Sequence, residues 1–167
     1  PHRDTGTYLK LTQGTGRVIV PHNKKDLQPG NYVVRVRVGA VKGTPASRRF
    51  IEVGHPQRDI DSRDWGLKGK PIGVRQVTGT IEAPQIIEFS IELRPGMPKE
   101  FAVQEKQPNT GNLKVLWDDH NKLRAENGYG HPPAIWIDWV ELEGPHAPPE
   151  NKIFKQRREV EHYATTK

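Results

Sequence analysis

Apolar residues in this chain recur at every second position over short stretches, and turn residues separate the stretches. The clearest is Tyr32-Val-Val-Arg-Val-Arg-Val38. Successive side chains of a strand point to opposite faces, so Val34, Val36 and Val38 share one face and Arg35 and Arg37 the other. Ile86-Ile-Glu-Phe-Ser-Ile-Glu-Leu93 repeats the pattern, with Ile87, Phe89, Ile91 and Leu93 against Glu88 and Glu92. A slip of one residue would expose every apolar side chain, so the period predicts that Val34, Val36, Phe89 and Ile91 are buried. Arg35, Arg37, Glu88 and Glu92 then lie outside, where the glutamates complement the arginines if the two strands are neighbours.

Shorter runs carry the same signal. Thr7–Leu11 alternates, and Gly14-Thr-Gly16 turns it into Arg17–Val20. Gln28-Pro-Gly-Asn31 and Arg94-Pro-Gly-Met97 are turns, because proline presets φ and glycine accepts a positive one. Arg49–Val53, Ile72–Ile81, Glu100–Gln104 and Leu113–Trp117 read as further strands, and 54–70 and 118–133 as polar loops. The sum is about eight or nine strands with almost no amphipathic helix, the pattern of an all-β, antiparallel β-sandwich.

The last strand is the most informative. Ala134-Ile-Trp-Ile-Asp-Trp-Val-Glu-Leu-Glu-Gly-Pro145 is rich in β-branched and aromatic residues and is expected to end at Gly144-Pro145. Strict alternation puts Trp136, Asp138, Val140 and Leu142 on one face. If Val140 and Leu142 point into the core, so does Asp138, and a carboxylate there must be paired, hydrogen-bonded or bound to a cation. Asp138 is therefore a candidate calcium ligand. The alternative is an aspartate at the strand end that meets solvent, an arginine or backbone donors.

The length of 167 residues allows one domain with tails: a module over 1–147, then 148–167 as a linker or short helix toward a following domain. After Pro148-Pro149 the composition shifts to Lys, Arg and Glu. A start at Pro1 rather than Met reads as a piece of a longer polypeptide, with any targeting signal outside it. No apolar stretch reaches the length of a membrane span, so no membrane insertion is expected. With no cysteine, disulfides, thiolate metal sites and thioether haem attachment are excluded within this chain. The net charge of +6 permits acidic partners. The basic residues are spread out rather than run together with aromatics, so a nucleic-acid partner is not expected.

Two segments offer chemistry. Trp117-Asp-Asp-His-Asn-Lys122 is dense in hard oxygen atoms from Asp118, Asp119 and Asn121, but lacks the EF-hand spacing; a solvated turn is the alternative. Asn127-Gly-Tyr-Gly-His-Pro-Pro133 sets Tyr129 and His131 on a loop just before the final strand. Sugar C–H faces stack on aromatic rings, so Trp117, Tyr129 and Trp139 are candidate platforms for a glycan, with Asp118, His120 and His131 binding hydroxyls. The alternative is that these aromatics fill the core. Acid–base pairs such as Asp118 with His120, or Glu105 with His131, can be drawn in any chain with seven histidines and twenty carboxylates. No Gly-x-Ser-x-Gly, His-Glu-x-x-His or phosphate-cradling loop occurs, and the chain is not expected to be an enzyme.

Gly30-Asn-Tyr-Val-Val-Arg-Val-Arg-Val-Gly39, Pro84-Gln-Ile-Ile-Glu-Phe89, Leu93-Arg-Pro-Gly96 and Trp136-Ile-Asp-Trp-Val-Glu-Leu-Glu-Gly-Pro145 together resemble a module of the large, planctomycete-type, cytochrome-c-associated multidomain proteins, whose domains are of unknown function. The resemblance implies a β-jelly-roll similar to calcium-dependent carbohydrate-binding modules, in an exported, periplasmic protein. It also implies a structural calcium held by the aspartate of the last strand, here Asp138 followed by Trp139, with Asp4 the nearest acidic partner on the first strand. The expected role is a non-catalytic accessory module that binds polysaccharide or glycan. A structural domain docking neighbouring domains of the parent protein is the alternative, and a sugar-modifying enzyme domain the third.

Overall fold

A computed structural model of the chain describes residues 5–11, 17–21, 27–57, 66–107 and 113–146. The expected linker over 148–167 and the candidate Asp4 lie outside these. Among the described residues the chain forms strands β1 (Thr7–Tyr8), β2 (Val18–Val20), β3 (Gly30–Ala40), β4 (Phe50–Gly54), β5 (Gly73–Gln76), β6 (Gln85–Leu93) and β7 (Phe101–Glu105), then helix α1 (Leu113–Asn127) and strand β8 (Ile135–His146). Two four-stranded antiparallel sheets result, in the order β1-β8-β3-β6 and β2-β7-β4-β5. One apolar core joins Val34, Val36, Val38, Phe89 and Ile91 of the first sheet to Ile51, Val53, Phe101 and Val103 of the second, which makes the molecule a β-sandwich. No helix among the described residues is long and apolar enough to cross a membrane.

The alternation in β3 and β6 does what it predicts. Val34, Val36, Phe89 and Ile91 are buried, and the charged residues between them face outward. The strands pair with Val34 opposite Phe89 and Arg35 opposite Glu88. Arg35 donates to Glu88 at 2.6 Å and to Glu141 on β8 at 2.9 Å, and also meets Glu143. Arg37 does not pair with Glu92: it contacts Asp138, while Glu92 takes Arg94 at 2.7 Å.

Several expectations are corrected. The segment Leu113–Trp117 is the first part of α1 rather than a strand, and the helix takes in most of the expected 118–133 loop. Its inward stripe is Leu116, Trp117, His120 and Leu123, at the three- and four-residue spacing of one helix face, with Val115, Asp118, Asn121 and Lys122 turned outward. The Gly128 N–H donates to the Arg124 carbonyl at 2.9 Å and closes the last turn.

Strict alternation also fails in β8. Arg37 of β3 lies opposite Trp139, yet the next residue, Val38, lies opposite Ile137, so Asp138 is the extra residue of a β-bulge. The bulge changes which positions face inward. Before it, Ile135 and Ile137 join the core; after it, Val140 and Leu142 pack there. Asp138 therefore does not share their face but points out to Arg37. Trp136 is likewise on the outer side, opposite Gly39, and its indole N–H donates to the Thr5 carbonyl at 3.1 Å. The ring is 0% exposed, and residues 5 and 6 lie against it. Gly6 has a φ of +84°, and a Cβ there would fall 2.7 Å from the indole nitrogen, so only glycine fits this cover. The strand also runs past Gly144-Pro145 to His146 rather than stopping there.

Phe89→Ala should lower unfolding stability by about 3–5 kcal/mol, through lost transfer free energy and the cavity left in the core. Glu88→Gln on the same strand, which weakens one exposed contact to Arg35, should cost under about 1 kcal/mol. Urea melts of the two variants check the contrast.

Candidate functional site

The return from α1 to β8 is a tightly tied loop. The Asn127 side-chain oxygen accepts from the N–H groups of Tyr129 (2.9 Å) and Gly130 (2.7 Å), and its amide donates to the Gly130 carbonyl at 2.8 Å. Gly130 has a φ of +83° and lies flat against His120, where a Cβ would come within 2.3 Å of the ring. The His131 N–H donates to His120 Nδ1 at 3.2 Å, so a neutral His120 carries its proton on Nε2. Arg48 then fixes the loop to the sandwich, donating to the Pro132 carbonyl at 2.8 Å while forking onto Glu105 at 2.8 and 2.9 Å. Burial pushes the Glu105 carboxyl above its ordinary range and Arg48 pulls it back.

This loop forms one wall of a cleft of about 400 Å³. Residues 8–11, running on from β1, form the facing wall, held by the Leu9 N–H donating to the Ile135 carbonyl at 2.9 Å. From the α1 side and the loop after it, His120, Arg124, Tyr129, His131, Pro132 and Pro133 line it. Tyr129, one of these residues, is 64% exposed.

Three of the six expected ligand-binding residues, His120, Tyr129 and His131, thus meet in one place. Trp117 reaches the site only indirectly: it is half-buried and stands edge-on to His120, with ring centres 5.8 Å apart at 81°. Asp118 is turned to Lys114 one turn back, on the exposed side of the helix. Trp139 is elsewhere, on the outer face of β8 opposite Arg37, and 38% exposed. Tyr8, Lys10 and Arg124 also line the cleft, and no motif in the sequence marks them. Arg124 lies four residues after His120, a relation that signals a shared face only once the segment is known to be helical.

Neither drawn acid–base pair describes the site. Glu105 is taken by Arg48, and the carboxylate beside His131 is Asp119, its Oδ2 3.1 Å from Nε2 but off the line a hydrogen bond needs. Burial holds His131 below its ordinary pKa of 6.5; Arg48 and His120 add to this and Asp119 opposes it.

Calcium takes six to eight oxygen ligands. The Asp138 side chain, 13% exposed, instead contacts the Arg37 guanidinium and accepts weakly from the Thr5 hydroxyl at 3.4 Å. Among the described residues no group of three or more His, Asp or Glu side chains is disposed to hold a metal. The described residues around Asp138 do not by themselves make up a calcium site. Comparison with protein-family profiles, with curated proteins and with solved structures finds no match for this chain.

The depressed pKa of His131 has a measurable sign. Well above pH 6.5 the imidazole is neutral whether the chain is folded or not. As pH falls below 6.5 the unfolded chain takes up a proton that the folded one resists, so stability is lost down to the folded pKa. Glu52 and Glu105, raised by burial, act in the opposite sense, which makes a difference measurement necessary. Between pH 7.5 and 5.5 the wild type should lose more melting temperature than His131→Gln does. Parallel loss in the two proteins would show that His131 is not held neutral.

Proposed function

We propose that the chain is a non-catalytic carbohydrate-binding module, and that its glycan site is the cleft between residues 8–11 and the α1–β8 loop. The observation that carries this reading is the convergence of His120, Tyr129 and His131 on one cleft, with the tyrosine ring exposed. A ring face supplies stacking, and the histidines and neighbouring backbone supply hydroxyl partners. A volume of about 400 Å³ is in the range of small-ligand sites. The loop sits on a rigid sandwich, where binding residues are commonly carried.

The finer fold assignment belongs to the same proposal. β1 pairs with β8, β2 with β7, β3 with β6 and β4 with β5, all antiparallel. These are the pairs of one long hairpin rolled into two sheets, which supports a jelly-roll. With the resemblance to cytochrome-c-associated proteins, the reading extends to an exported, periplasmic parent protein whose neighbouring domains flank this one. A structural calcium at Asp138 would have to displace Arg37 and recruit Asp4 or other residues.

A second reading, a docking domain for those neighbours, is favoured by the outer face of the first sheet. There Ile86 and Trp139, both exposed, flank Arg37 on either side in the strand register. Protection of Trp139 from quenching in a longer polypeptide, but not in this chain alone, would support it.

Affinity electrophoresis through polysaccharide gels, run with calcium and with EDTA, tests the first reading. Tyr129→Ala should weaken retention by about tenfold, as for one lost contact of about 1.4 kcal/mol, and leave the melting temperature little changed because the ring is exposed. Retention unaffected by the substitution would favour docking. A melting temperature that is the same in EDTA and in excess calcium would remove the metal from the proposal.

A further inference from the structure

We infer that the ligand of the cleft is an acidic glycan, a sugar chain bearing carboxylate or sulfate groups, with Arg124 and Lys10 as its anion-binding residues. The inference rests on the glycan reading above and narrows it. Its basis is how this protein disposes of its arginines. Arg35, Arg37, Arg48 and Arg94 are each paired with a carboxylate, and Arg17, Arg49 and Arg75 donate to backbone carbonyls. Among the described residues Arg124 is the one arginine whose guanidinium has neither a hydrogen-bond nor an ion-pair partner, and it lines the cleft. Lys10, on the facing wall, is exposed and also has no ion-pair partner among them.

The described lining contains no carboxylate: its ionisable side chains are Lys10, Arg124, His120, His131 and two tyrosines. Asp119, which is not in the lining, lies beside His131 with its Oδ2 3.1 Å from Nε2. The C-terminal end of a helix carries a partial negative charge equivalent to about half an elementary charge, which alone would repel an anion. Arg124 lies in that last turn and reverses the sign. A guanidinium presents a planar fork of donors that matches a carboxylate or sulfate edge, and Tyr129, which lines the same cleft, offers a ring face for the sugar. Nucleic acid is the less favoured anion, since its affinity comes from many phosphate contacts along a basic track, whereas here two cations face one cleft.

The test uses matched polymers at constant ionic strength: dextran against dextran sulfate, and methyl-esterified against de-esterified polygalacturonate. The proteins are wild type, the double variant Lys10→Gln/Arg124→Gln, and a charge-matched control, Lys68→Gln/Lys70→Gln, whose lysines are exposed and do not line the cleft. The wild type should hold at least one acidic polymer about tenfold more tightly than its uncharged partner. The cleft variant should lose that preference while the control keeps it, and which pair responds tells carboxylate from sulfate. Equal loss in the two double variants would overturn the inference, because it would reflect the net charge of +6 alone. Neutral and acidic polymers held equally, with retention still lost in Tyr129→Ala, would overturn it and leave the glycan reading standing. No retention by any polymer would remove both. A single-stranded oligonucleotide that binds more tightly, with the same dependence on Arg124, would replace the acidic glycan with nucleic acid.

Discussion

Parity in β3 is the constraint on which the sandwich depends. This strand lies inside the first sheet, paired with β6 on one side and β8 on the other. A shift of one residue would drive Arg35 and Arg37 into the layer formed by Val34, Val36 and Phe89, and expose the valines. The three glutamates around Arg35 report that register more than they create it. Their contacts hold the Arg35 guanidinium well above its ordinary pKa and Glu143 below the usual carboxylate range. Yet exposed ion pairs typically contribute no more than about 1 kcal/mol each. Burial of the alternate valines sets the pairing, and the charges then fall where they match.

The bulge at Asp138 connects that constraint to the cleft. Without the extra residue, Trp136 would follow Val140 and Leu142 into the core, and Ile135 and Ile137 would face out. With it, both isoleucines are buried and the indole is delivered to the outer face, where residues 5 and 6 cover it. The covering segment continues into β1 and then into residues 8–11, the wall that carries Lys10. Thus a one-residue irregularity in the last strand helps to determine where the first strand lies and what it presents.

The parts legible in the sequence were those governed by local period. β3 and β6 follow from alternation alone, and the Arg94–Met97 turn from the chemistry of its proline and glycine, whereas Gln28–Asn31, read as a turn, instead runs into β3 at Gly30. Leu113–Trp117 reads as a strand although it is helical, because Leu-Lys-Val-Leu-Trp fits either period over five residues. The helical stripe is completed by His120 and Leu123, and a buried histidine does not register as apolar. The bulge was illegible for a different reason: it is a mismatch between β3 and β8, about a hundred residues apart, and neither strand shows it alone. His120, Tyr129 and His131 could be picked out by residue type and by the glycines and prolines around them. Tyr8, Lys10 and Arg124 could not, because only the β1–β8 pairing and the α1 helix bring them to the same cleft.

The nested pairing has a kinetic side. β4 and β5 are close in the chain, β3 and β6 enclose them, β2 and β7 enclose those, and β1 and β8 close the outermost loop. Closing a long loop from an open chain is slow, but each inner pair shortens the free segment that the next must close. The topology therefore favours zipping from the centre of the sequence outward. On that order the walls of the cleft, which run on from β1 and precede β8, are brought together last, so the cleft is complete only when the rest of the sandwich is already in place.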